Sequence, residues 1–210
     1  MPIHAFIDES RRGDQYLMAV ALVTPRQLTP LRQRMHQLLL PGERELHFAK
    51  EQEPRKRRVT ACIARLPIEV IIYAGTCARG DEPVRQACLT TLTENLVVAE
   101  AQLMVLDSRN NWQGNDRDRH DRSTLQRVLG KSRHSSNLVF QHVDSKFESL
   151  LWIADVAAWC WGAGGEWRRQ IRPIVREVIP IGPQTARNPA AHRPERRPGP
   201  LRKPRGPRST

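Results

Sequence analysis

His4-Ala5-Phe6-Ile7-Asp8-Glu9-Ser10 is the stretch that decides how the chain is read. Ile3, Ala5 and Ile7 alternate with His4, Phe6 and Asp8, the period-2 pattern of a β-strand. Apolar residues on both faces place that strand inside a sheet. It runs directly into two acids. A carboxylate at the end of a buried strand is costly unless a cation or hydrogen bonds compensate it.

Working outward, Tyr16 to Val23 is a continuous apolar run, joined to the first strand through Arg11-Arg12-Gly13-Asp14. So short a connection permits only an antiparallel hairpin. Thr29-Pro30 reads as a helix start, with Leu31, Met35, Leu38 and Leu39 as its apolar stripe and Pro41-Gly42 as its stop. Pro54 opens the next helix, with Val59, Cys62, Ile63 and Leu66 inward. Ile68 to Ala74 is a third strand, residues 82–101 a long helix, and Gln102 to Leu106 a fourth strand that ends in Asp107. Residues 117–129 read as helical and Leu138 to Val143 as a fifth strand. Ser145 and Glu148 match a capping box for a very apolar helix running to about Trp161, and a last helix is expected over Trp167 to Glu177. The expectation is an α/β domain over residues 1–182.

Beyond it, prolines alternate with arginines, and residues 183–210 are expected to be a disordered basic tail. The tail carries eight basic residues against one acid, Glu195, a surplus of seven within a net charge of +12. A basic balance favours polyanions, nucleic acid first, although a solvated tail raises the pI by itself. Cys62, Cys77, Cys88 and Cys160 form no CxxC pair, which argues against structural zinc and a disulfide framework. No signal-like N-terminus and no apolar run of roughly 20 residues is present, so a cytoplasmic protein without a membrane span is expected.

Asp8, Asp107 and Asp155 share one oddity. Two end apolar strands, and the third sits inside Trp152-Ile153-Ala154-Asp155-Val156-Ala157-Ala158. Each alone has an ordinary reading, as a turn residue, a cap or a salt-bridge partner. Together they suggest carboxylates gathered at one sheet edge, where like charges stay ionised only if cations compensate them. Hard oxygen ligands select Mg2+ or Mn2+, and paired ions of that kind support phosphodiester cleavage. Arg11, Arg12, Arg109 and Trp112 are the candidate nucleic-acid contacts. Most of the remaining tryptophans are assigned to packing.

Four segments taken together resemble the bacterial and phage proteins of domain-of-unknown-function 3800. They are Phe6-Ile7-Asp8-Glu9-Ser10, Glu45-Leu46-His47-Phe48, Val105-Leu106-Asp107-Ser108, and Ser145 with Ile153-Ala154-Asp155-Val156-Ala157. The resemblance covers roughly residues 3–162. It departs at Arg11-Arg12, where that family has glycine, and at Trp152, where it has glutamine. It implies an RNase H-like fold, a mixed five-stranded sheet flanked by helices. It also implies an acidic, metal-holding and catalytic set of Asp8, Glu45, Asp107 and Asp155, supported by Glu9, Ser10, His47 and Ser145. Glu94 or Glu100 could stand in for Glu45. Metal-dependent nuclease activity on RNA or DNA is the expectation, and a non-catalytic nucleic-acid-binding or regulatory protein on the same fold is the alternative.

Overall fold

The computed structural model describes residues 2–77, 80–109, 117–131 and 137–182. The proposed tail and Trp112 lie outside them. Strands β1 (His4–Arg12), β2 (Gln15–Val23), β3 (Glu69–Thr76), β4 (Leu103–Asp107), β5 (Val139–Val143) and β6 (Val175–Ile181) form one sheet. Its order is β5-β4-β1-β2-β3-β6. β1–β2 and β2–β3 are antiparallel, while β4 lies parallel to β1, β5 parallel to β4 and β6 parallel to β3. The hairpin forms because its turn is closed by Gly13, whose φ of 57° is open to glycine.

The alternation along β1 divides the molecule into two cores. Phe6 packs into one, with Leu17, Ala19 and Ala21 of β2 and Val105 of β4. Ala5 and Ile7 pack into the other, with Tyr16, Met18, Met104 and Leu106. The first core is covered by α1 (Leu28–His36), α2 (Glu53–Ile63), α5 (Leu151–Ala163) and α6 (Gly165–Ile171). The second is covered by α3 (Asp81–Val98) and α4 (Arg117–Lys131). Helix α5 buries Ile153, Ala154, Val156, Ala157 and Ala158 directly on the central strands. Its alanines let it lie close, which is what carries Asp155 to the sheet.

Five expectations are corrected. The sheet has six strands, not five. The helix expected over Trp167 to Glu177 ends at Ile171, and after a 3-10 turn at Arg172–Ile174 the chain becomes β6. Pro173 has no amide to extend the helix, and Val175, Val178 and Ile179 favour extended backbone. Pro180 is tolerated because β6 is an edge strand. The first helix is entered through Thr24-Pro25, not Thr29-Pro30, with Gln27 Oε1 accepting from the Thr24 amide at 2.9 Å. Cys62 of α2 is exposed, and Thr60 is buried against Cys160 in its place. Ser145 does not cap α5, which begins six residues later.

Gly75 of β3 marks a tight contact. A Cβ there would stand 2.3 Å from Val84 Cγ2 of α3. Gly75→Ala is therefore expected to cost about 1–3 kcal/mol, since a stiff, packed valine cannot yield freely. Urea unfolding of the variant beside the parent measures it, and an unchanged midpoint would contradict the packing described.

Candidate functional site

Parallel pairing aligns Phe6 with Val105 and Ile7 with Leu106, so Asp8 and Asp107 follow at the same edge. Both lie on the Phe6–Val105 face, where α5 brings Asp155. The three carboxylates are half-buried. Loss of hydration pushes each one's pKa upward, and negative neighbours push in the same direction. Asp8 is raised strongly, by burial first and then by Asp155, Glu9 and Asp107. Asp107 is raised to about 7, by burial and then by Glu9, with Asp144 and Asp155 adding less. Asp155 is raised to about 6, by burial first. Among the described residues no Lys, Arg or His nitrogen lies within ion-pair reach, 4.0 Å, of any of the three.

Backbone amides supply partial relief. The Glu9 amide donates to Asp8 Oδ1 at 2.7 Å, and the Ser145 amide donates to Asp107 Oδ1 at 3.0 Å. The Phe48 amide donates to Asp155. Ser145 does more than an N-cap would. Its hydroxyl donates to Glu45 Oε2 at 3.1 Å, which ties Glu45 to the turn that holds Asp107. The Trp152 indole fixes that turn by donating to the Ser145 carbonyl at 2.9 Å. His47 Nε2 lies 2.7 Å from Glu45 Oε1 and its ring is half-exposed. Ser10 shares the Asp8 face of β1. Glu94 and Glu100 belong to α3 and the turn after it, on the chain between β3 and β4, and neither carries a contact to these acids.

Glu9 points the other way. Arg85 Nη1 lies 2.6 Å from it, and the same guanidinium grips Asp121 through two bonds of 2.9 and 2.7 Å. Arg109 reaches Asp121 at 3.2 Å and Glu9 at 3.9 Å. Its side chain is 14% exposed, so it is committed to a buried network and is not a free cation for nucleic acid. Arg11 is exposed and paired with Asp81 at 2.7 Å. Arg12 is exposed and lies over the Trp159 ring. This network went unread in the sequence, yet a signal exists. Arg85 and Asp121 occupy the apolar stripes of their helices, Arg85 three and four residues before Cys88 and Leu89, and Asp121 four before Leu125.

Two places could therefore hold a cation. Asp118, Asp121 and His142 offer ligand atoms within 4.8 Å of one another. However, both Asp121 oxygens are engaged by guanidinium groups, and with His142 they hold its pKa well below the ordinary range against burial. Asp118 accepts from the Ser108 hydroxyl and the Arg109 amide. An ion there would displace cations already bonded. Asp8, Asp107 and Asp155 stand further apart but are uncompensated, all-oxygen and hard, which fits Mg2+ or Mn2+.

No family model matches the chain, and no curated protein matches it. Among solved structures it is similar to RNase HII in the PCNA:RNase HII complex from Archaeoglobus fulgidus. The TM-score is 0.50 at 16% identity, over 81% of this chain and 75% of that one. The fold is RNase H-like, a mixed sheet flanked by helices. No helix among the described residues is long and apolar enough to cross a membrane.

Two outcomes follow from the charges. A carboxyl whose folded pKa is raised binds its proton more tightly when folded, so stability falls as pH climbs from the unfolded value near 3.8 through about 6 to 7 for Asp155 and Asp107. Glu43 and Asp121, whose pKa values are lowered, act oppositely, and their contribution is lost only below about 4. With chelator present, Tm is expected to fall between pH 4 and 7.5 and to recover on adding Mn2+ at pH 7.5. A flat profile over that window contradicts the burial of the three acids. Separately, Arg85→Met strands Asp121 and Glu9 and should cost about 3–5 kcal/mol in chemical denaturation.

Proposed function

We propose that this protein is a metal-dependent nuclease that hydrolyses phosphodiester bonds of RNA or DNA, a relative of the domain-of-unknown-function 3800 proteins. One observation carries the reading. Three half-buried carboxylates with raised pKa values lie on one face of the central strands of an RNase H-like sheet, and among the described residues no cationic side chain is within ion-pair reach of them. Acids perturbed by burial and by one another in such a place are the candidates for a functional site.

Asp8 is the central ligand, since it feels both Asp155 and Asp107. Asp107 and Asp155 hold the two sides, and Glu45 is delivered by Ser145. A bound Mg2+ or Mn2+ would supply Lewis acidity, lowering the pKa of an attacking water and stabilising the leaving oxygen. The protein's own part is positional. The Ser145 amide and hydroxyl fix Asp107 and Glu45 relative to each other. Phe48 fixes Asp155 through its amide. His47, at the exposed rim, orients Glu45, the residue assigned to orient water.

A second reading, nucleic-acid binding without turnover on the same fold, is favoured by one fact. The three aspartates are not drawn to within 4.8 Å of one another. Cleavage of labelled RNA and DNA oligonucleotides decides between the two. The expectation is cleavage with Mg2+ or Mn2+, none with chelator, and a loss of at least about a hundredfold in Asp8→Asn. Equal cleavage by parent and Asp8→Asn, with both folded, overturns the catalytic assignment. Binding without cleavage under any of these ions establishes the second reading.

A further inference from the structure

We infer that Arg12, Lys56 and Trp159 form a backbone-binding clamp for the nucleic acid, set beside the acidic edge on the α5 side of the sheet. The inference rests on the proposed function for the identity of the polyanion.

Two elements lead from the acids to this place. Along β1, Arg12 lies four residues beyond Asp8 on the same face, about 13 Å at strand rise. Along α5, Trp159 lies four residues beyond Asp155, one helical turn and about 6 Å further on. The two routes meet. The Arg12 guanidinium carbon stands 4.5 Å from the centre of the Trp159 ring, and Lys56 Nζ of α2 stands 4.7 Å from it. One indole therefore carries two cations. Phe48 packs edge-on against that indole at 5.2 Å, and it is the residue whose amide holds Asp155. The clamp and the acidic cluster are thus tied through a single residue, by its ring and its backbone amide.

Arg12 and Lys56 share one indole, and they differ from the neighbouring Arg55 and Arg57 in their pairing. Arg55 is bound by Glu43 and Glu51, and Arg57, stacked over Trp167, is bound by Glu53 and Glu166. Among the described residues no carboxylate lies within 4.0 Å of Arg12 or Lys56. Lys56 donates once, to the Ala49 carbonyl at 2.9 Å, which leaves two of its three protons. A ring under each cation holds the charge in place without neutralising it. Fixed, unneutralised positive charge serves phosphate contact, which positions the backbone without reading sequence. A separation of about 13 Å corresponds to roughly four steps of a duplex strand. A backbone gripped here would have a phosphate a few nucleotides further on at the acids.

The test measures binding, not cleavage. Full-length protein is titrated with chelator present against fluorescein-labelled 20-mers of single-stranded RNA, single-stranded DNA and an RNA–DNA hybrid, and the affinity is followed from 50 to 200 mM salt. Arg12→Ala/Lys56→Ala is expected to weaken binding at least about tenfold and to reduce the slope of log affinity on log salt by about 1.4 for single strands or 1.8 for a duplex. Arg26→Ala/Arg65→Ala removes two exposed cations from the opposite end of the sheet, and its slope should match the parent. Arg12→Lys/Lys56→Arg should restore the slope. The arm with the highest parental affinity at a fixed salt concentration identifies the strand type. An unchanged slope in the double alanine variant, or no binding by the parent, overturns the clamp. Both readouts are independent of turnover, so loss of cleavage in Asp8→Asn and loss of the clamp are scored separately. Thermal unfolding establishes that the surface variants are folded.

Discussion

Two consecutive acids on one strand must leave on opposite faces, and the molecule is built around that constraint. Successive side chains of β1 alternate across the sheet, so Asp8 and Glu9 cannot share a partner. Glu9 enters the α3–α4 side and meets Arg85, whose 1% exposed side chain also holds Asp121. Asp8 enters the α5 side and meets other acids. The middle of β1 thus carries a neutralised charge on one face and an accumulated charge on the other, a single peptide apart.

The two faces behave as opposite electrostatic regimes under the same sheet. On the α3–α4 side Glu9, Asp118 and Asp121 each have a donor. Asp121 stays ionised despite burial because the His142 ring and two guanidinium groups hold it. A network satisfied in this way fixes geometry, and it also secures the ends of β1 and β4 through Glu9, Ser108 and Arg109. On the α5 side the donors to Asp8, Asp107 and Asp155 among the described residues are backbone amides alone, and the pKa values of all three are raised. Charge left uncompensated in a packed region is costly, and a ligand cation is the compensation that chemistry offers. The satisfied cluster has the tighter ligand spacing, yet the unsatisfied cluster has the reason to bind.

Small contacts decide which acids belong together. Ser145 links Asp107 to Glu45, which lies 100 residues before Ser145 in sequence, and the Trp152 indole holds the turn that makes this possible. Phe48 joins the loop after Glu45 to Asp155 and to Trp159. These bonds explain how a residue from a loop without regular structure stands beside two strand ends and a helix.

Much of this was open to reading in the chain alone. Period-2 alternation and short connections determined β1 to β5 and the hairpin, because side-chain burial on a strand has no other solution. The apolar setting of Asp8, Asp107 and Asp155 identified them as anomalous, since hydration cost depends on immediate neighbours. Strand β6 was hidden by Pro173, Pro180 and its charges, which an edge strand accepts and an interior strand does not. Ser145 resembled a cap because local pattern cannot show a partner 100 residues away. Arg109 resembled a surface cation, and Trp152 a departure from a motif, for the same reason. Which carboxylate meets an arginine and which meets another carboxylate was decided only when α3, α4 and α5 packed on the sheet, because Coulomb energy depends on distance in space and not along the chain.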